Sequence, residues 1–327
     1  MKMRRREFIA GLGGAAVWPL AARAQQQLLP IVGFISSRSP YDAVRYGGAF
    51  RTGLSETGII DGQNVTVEYH WLDGQYDRLQ SLIADFVRRK VAVIATTHAR
   101  SAREAKAATK DIPIIFGASN PVDIGLVASL ARPDGNATGI NFVNQELVPK
   151  QLELLHQLVP KPVRIAFLVN PTNASAVEPT LQAMPDVARA LGMEIQVLTA
   201  STIREIEAAF DTLVRERADA LFVVQDGFFS SRRAQFVILA VLNRIPTVGP
   251  DRTAVEAGML MHYGANLSDM FRQVGIYTGN ILKGAKPGDL PVMQASRFEF
   301  LINLQMAKAL GIDVPPNVLA LTDEVFE

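Results

Sequence analysis

Apolar and polar positions along this chain follow two alternating rhythms. Unbroken apolar runs at 31–35, 91–95 and 112–116 are short enough to be strands buried on both faces. Residues 65–71 set Val65, Val67 and Tyr69 among polar partners, the period of a half-exposed edge strand. Between the strands the spacing turns helical. Leu79, Leu82, Ile83, Phe86 and Val87 fall at i, i+3, i+4, i+7 and i+8, one apolar helix face. A helix over 43–55 stops near Gly58, and an alanine-rich helix runs to Lys110. After 116 come Gly117, Ala118, Ser119 and Asn120, and Pro121 ends the strand. A short apolar helix is expected over 125–131, then the turn Arg132-Pro133-Asp134-Gly135 and a strand over 138–142.

The rhythm then repeats. A helix over 147–159 carries Pro149 in its first turn, where the missing donor does no harm. Strands are expected at 164–169, 194–198, 220–224 and 246–248. Thr202-Ile203-Arg204-Glu205 is a capping box, with Ile203, Ile206, Phe210, Leu213 and Val214 expected in the buried stripe behind it. Such alternation predicts an α/β protein with parallel sheets and right-handed crossovers. Two sets in series without a long linker predict two similar, Rossmann-like lobes. The last part fits neither set as a simple continuation: strand 259–263, helix 267–283, strand 298–303 and helix 304–310.

At 327 residues the chain can build two ordinary domains, and 48% apolar with 20% charged residues is not a disordered composition. No apolar run is long enough to span a bilayer. Residues 1–24 hold five basic residues and one acidic; the rest hold 28 basic and 31 acidic, which argues against a nucleic-acid partner. Arg5-Arg6-Glu7-Phe8-Ile9 has the twin-arginine pattern, and Ala22-Arg23-Ala24 is an A-x-A cleavage site before Gln25. Residues 1–24 are therefore expected to be an export signal cleaved after Ala24, and the mature protein to be periplasmic. The chain has no cysteine, so disulfides, thiol nucleophiles and lipid-acceptor thiols are excluded.

No catalytic constellation emerges. His70, His98, His156 and His262 lack metal-ligand spacing, and neither a nucleophile elbow nor a P-loop occurs. No enzyme activity, metal or cofactor is expected. The polar loops at strand ends remain, because open α/β sheets bind ligands there. The first set offers Ser36, Ser37, Thr96, Thr97, His98, Ser119 and Asn120; the second offers Asn170, Thr172, Asn173, Gln225, Asp226 and Phe228. Hydroxyls, amides and helix N-termini on one side suit a carboxylate. An acid and aromatic faces on the other suit an ammonium and a ring. The competing role for each is helix capping and turn shaping, or core packing for Phe228 and Phe229.

One stretch carries a resemblance. Pro113-Ile114-Ile115-Phe116, Asn120-Pro121-Val122, Gly125-Leu126-Val127 with Ser129-Leu130, and Arg132-Pro133-Asp134-Gly135-Asn136 with Thr138-Gly139 are similar to the signature of a family of ABC-transporter substrate-binding proteins that includes tryptophan- and tyrosine-binding members. Asn120 stands where the family pattern has Asp, and Asp134 where it has Gly. The likeness continues at 150–155, 168–171, 258–261, 298–303 and 307–311. It implies a type I-like periplasmic binding fold, with the chain crossing between lobes near Asn144, near Gly264 and after Pro291. Lobe 1 would hold 25–143 and about 265–295, and lobe 2 would hold 144–264; the strand and helix within 296–327 are assigned to neither. The family more often has Ser-Tyr-Gly where this chain has His262-Tyr263-Gly264, which adds Tyr263 to the candidates, with His262 as a pH-sensitive neighbour. The function implied is a solute receptor that closes over an amino acid or aromatic carboxylate and serves a membrane permease. A receptor-docking sensor and a periplasmic hydrolase are the alternatives.

Overall fold

The computed structural model describes residues 29–142, 147–159 and 162–327. The twin-arginine segment, the cleavage site and the crossing expected near Asn144 lie outside the described residues. The first half runs β1 (Ile31–Ser36), a 3-10 turn (Pro40–Asp42) and a π-helical turn (Ala43–Gly47) leading into α1 (Gly48–Glu56). It continues through β2 (Thr66–Trp71), α2 (Leu79–Arg89), β3 (Val93–Thr96), α3 (Ala99–Ala108), β4 (Ile114–Ala118) and β5 (Ala137–Asn141). The second half runs α4 (Val148–Leu158), β6 (Arg164–Val169), α5 (Ala174–Ala190), β7 (Glu194–Thr199), α6 (Ile203–Arg215) and β8 (Ala220–Val223). Then follow α7 (Gly227–Ser231), α8 (Arg233–Asn243), β9 (Thr247–Val248), α9 (Arg252–Ala257) and β10 (Met261–Ala265). The chain closes with α10 (Leu267–Leu282), β11 (Met293–Gln294), β12 (Phe298–Asn303), α11 (Leu304–Leu310), α12 (Pro316–Leu319) and β13 (Glu324–Phe326).

The strands form two sheets, as the apolar rhythm predicts. One has the order β11-β5-β4-β3-β1-β2, with each neighbouring pair parallel. The other has the order β13-β12-β10-β9-β8-β6-β7, in which the β10–β12 pair is antiparallel and the rest are parallel. Each sheet is covered on both faces, which is why β1, β3, β4, β6 and β8 read as continuous apolar runs. Phe86 and Phe116 pack on one face of the first sheet, with Phe34, Phe50 and Phe271 on the other. In the second, Phe167 and Phe222 stack at 4.5 Å on one face, and Phe210, Phe229 and Phe236 fill the other. Phe229 is fully buried, so for this residue the core role holds, whereas Ile203 and Val214, expected in the buried stripe of α6, lie at its edges and are exposed.

Helix α10 returns to the first sheet and packs against α1. A Cβ on Gly53 would sit 1.8 Å from the Arg272 carbonyl oxygen, and one on Gly275 would sit 2.2 Å from that of Phe50. These two glycines let the helix backbones touch. The connections lie side by side: Asn266 N–H donates to the Arg297 carbonyl at 2.9 Å, and Ala295 N–H to that of Asn141 at 2.8 Å.

The helix expected over 125–131 is absent; the segment is a series of turns. Gly125 takes φ +72°, and Leu126 and Val127 donate back to the Pro121 carbonyl. The ammonium of Lys106 takes the Gly125 and Leu126 carbonyls at 3.1 and 2.7 Å, so helical bonding is replaced rather than lost.

Candidate ligand-binding cleft

A cavity lies between the two sheets, at the carboxyl ends of β1, β3 and β4 on one side and of β8 and β9 on the other. Of the strand-end residues singled out from the sequence, Ser37, Thr97, His98, Ser119, Asn173, Gln225 and Asp226 line it. The others sit behind or beside the wall. Ser36 is buried and accepts from the Thr97 hydroxyl at 3.1 Å, and Thr96 is buried in β3. Asn120 adopts φ +50°, with its N–H donating to the Asn141 side chain at 3.0 Å. Thr172 borders a separate outer recess with Arg100 and Arg103. Tyr263 packs edge-on against Phe300 in the second core. Phe228 lies over Gly74 of the first lobe, with the Arg232 guanidinium 5.3 Å from its ring centre. Its ring therefore covers the cleft edge rather than facing the cavity.

Asp226 is 4% exposed and organises the second-lobe wall. Its carboxylate caps α7, with Oδ1 accepting from Phe228 N–H at 2.9 Å and from the Asn170 amide at 3.0 Å. Oδ2 accepts from the Asn173 amide at 3.0 Å. Asn170 is itself fixed, since its oxygen accepts from the backbone and hydroxyl of Thr172. Among the described residues no basic side chain forms an ion pair with Asp226.

His98 caps α3: its Nδ1 accepts from Arg100 N–H at 3.3 Å, which leaves the proton of the neutral ring on Nε2, 3.3 Å from the Tyr76 hydroxyl. Burial pushes its pKa down to about 4, with Asp226 opposing the shift and Arg100 adding to it. His262 also lines the cavity. Its Nδ1–H donates to the Gly249 carbonyl at 3.0 Å, and burial lowers its pKa too. Burial thus favours the neutral form of both imidazoles.

Arg38 is not among the strand-end candidates, although it sits beside two of them in Ser36-Ser37-Arg38. It lines the cavity and is 6% exposed. Its Nε donates to Asp42 at 2.9 Å, while Nη1 and Nη2 reach Asp251 at 3.0 Å and Thr253 at 3.3 Å in the other lobe. Burial would lower the Arg38 pKa, but Asp251, Tyr46 and Asp42 outweigh it and raise it. Burial would raise that of Asp251; Arg38, Thr253 and Ser230 outweigh it and hold the carboxyl below the usual range. Asp251 follows β9 as Asp226 follows β8, so the strand-end rule could have found it. The apolar part of the wall was also missed: Phe142, Leu267, Met270 and Phe271. The last three belong to α10, whose place against the first sheet depends on the long-range α1 contact.

The ABC transporter substrate binding protein family model matches residues 30–326. A tyrosine-binding protein from Clostridioides difficile is 30% identical over 264 residues, covering 80% of this chain and 75% of that protein. A Streptococcus pneumoniae domain solved with L-Trp superposes with a TM-score of 0.83 at 24% identity, covering 91% of this chain and all of that one. The ligand-free, open structure of a Clostridium difficile substrate-binding protein superposes with a TM-score of 0.64 at 27% identity, covering 88% of this chain and 97% of its own. A match over nearly the whole described chain, with two lobes facing one cavity, makes this a member of the ABC transporter substrate-binding protein family, a family of binding proteins and not of enzymes.

Proposed function

We propose that the protein is the periplasmic receptor of an ABC importer that closes over an amino acid with an aromatic or large apolar side chain and delivers it to a permease. The observation that carries this reading is Asp226. A buried carboxylate is most stable with a counter-charge, and among the described residues this one has neutral donors alone, with acceptor capacity left on Oδ2. An ammonium group completes it. Phe142, Leu267, Met270 and Phe271 supply an apolar wall for a side chain, and Ser37, Thr97 and Ser119 make part of the lining polar. The binding of tyrosine and L-Trp by relatives supports the class. In this reading the lobes are 29–142 with α10 and β11, and α4 to β10 with the segment after 298. The twin-arginine signal, cleaved after Ala24, supplies the export route.

A thermal-shift screen over the amino acids and aromatic acids tests the proposal, since a solute that binds only the folded state raises Tm. Tyrosine, tryptophan or phenylalanine is expected to give the largest shifts. A screen with no response to any amino acid, followed by a response to a sugar or a polyamine, would overturn it. Retention of full-length precursor in the cytoplasm after replacing Arg5 and Arg6 by lysine tests the export route separately.

A further inference from the structure

We propose that Arg38 is the positioning residue that sets lobe closure, by joining the cavity wall to a charged latch across the cleft. Arg38 and Asp251 lie 213 residues apart, in different lobes, with side chains 7% and 1% exposed. The guanidinium spans both lobes: Asp42 on its own, Asp251 and Thr253 on the other, with the Tyr46 ring 4.5 Å from its carbon. Asp42 in turn faces Arg233 of the second lobe at 3.6 Å. Charges therefore alternate Arg233, Asp42, Arg38, Asp251, passing between the lobes twice. Gly227 lies against this junction, where a Cβ would be 2.7 Å from the Ser37 carbonyl oxygen, so the lobes meet backbone to backbone.

The arrangement has two stable forms. When the lobes part, Arg38 keeps Asp42, and Asp251 keeps the Ala254 N–H and the Ser230 hydroxyl that hold it as the cap of α9. Neither charge is stranded. When they meet, the desolvation of both groups offsets much of the attraction, so the pair fixes the closed geometry more than it adds net stability. A planar fork that must satisfy two carboxylates and a hydroxyl admits one lobe angle. Because Arg38 also borders the cavity, a bound solute and the latch share the same wall. Closure follows encounter, so the latch acts on solute release rather than on capture.

The inference rests on the reading of a closing solute receptor, but it can be tested without any solute. The chain has no cysteine, so spin labels at Gln63→Cys and Asp211→Cys, one on each lobe, report the interlobe distance by pulsed electron resonance. Arg38→Gln is expected to deplete the short-distance population, with and without L-tyrosine or L-tryptophan, and to speed release of either roughly tenfold or more at an unchanged association rate. Arg38→Lys, which keeps the charge but not the fork, should fall between. Asp251→Asn added to Arg38→Gln should cost little more. A folded Arg38→Gln protein with wild-type distances and release rates overturns the proposal. If that variant does not fold, wild-type behaviour of Arg38→Lys does the same. If no amino acid binds the wild type while Arg38→Gln still shifts the distances, the solute assignment fails and the latch stands.

Discussion

Asp226 and Asp251 hold matching places in the second lobe. Each follows a strand, each is buried, each caps a helix, and each faces the first lobe. They differ in what answers their charge. Asp251 meets a guanidinium from across the cleft, whereas Asp226 meets amides and backbone N–H groups. The same local device thus serves two ends. With an internal counter-ion the carboxylate suits the proposed closure latch; without one it suits the proposed ammonium site. Burial and hydrogen-bond count alone would not separate them.

Substitutions can break this comparison. The largest effect is expected at Asp226. Asp226→Asn keeps the size and an acceptor for the cap but removes the charge, and should weaken amino-acid binding by about 2–5 kcal/mol in calorimetry. An unchanged affinity would return Asp226 to capping alone. Asp251→Ala should cost about 1–2 kcal/mol in urea unfolding through loss of the α9 cap, whereas Asp251→Asn should retain most of that stability and still loosen closure. Equal losses in the two variants would mean that charge, not capping, dominates at that site.

The pH dependence sharpens the contrast further. His98 is held neutral in the fold, with its pKa lowered to about 4, while an unfolded histidine titrates near 6.5. The unfolded chain therefore binds more protons over that interval. This contribution to stability is complete above about pH 6.5 and declines as the pH falls toward about 4. His70 and His262 slope the same way, so the His98 share is the difference between wild type and His98→Asn, which retains a cap. Parallel stability curves over pH 4–7.5 would contradict it. The smallest effect belongs to the outer rim. Arg45 meets Glu256 across the cleft at 2.8 Å, but its side chain is 40% exposed, and Arg45→Ala should change closure or stability by less than about 1 kcal/mol, and less still at high salt.

The two sheets and Asp226 were legible because they depend on local signals: apolar runs, helical spacing, and a polar residue directly after a buried strand. The Arg38–Asp251 pair was not, because nothing near either residue announces a partner 213 positions away. The ring of Phe228 and that of Phe229 look alike in sequence, yet α7 sends one to the cleft edge and the other into the core. The turns at 125–131 misled because apolar content says nothing of Lys106, whose ammonium takes carbonyls that a helix would have used. Gly53 and Gly275 carry no pattern of their own. Their meaning appears when two helix backbones need the same space.

The return of α10 to the first sheet and of β12 to the second has a consequence for how the chain acquires its shape. Both cores are finished by segments beyond residue 266, so neither half has all its packing surface while the last part is still being made. Phe271 must reach Phe34, and Phe300 must reach Tyr263, over very different lengths of chain. High sequence separation between partners slows folding, because loop-closure entropy is spent before contacts return it. Nascent chains of this protein are thus expected to remain open to chaperones until synthesis ends, with the two lobes gaining protease resistance together rather than one after the other.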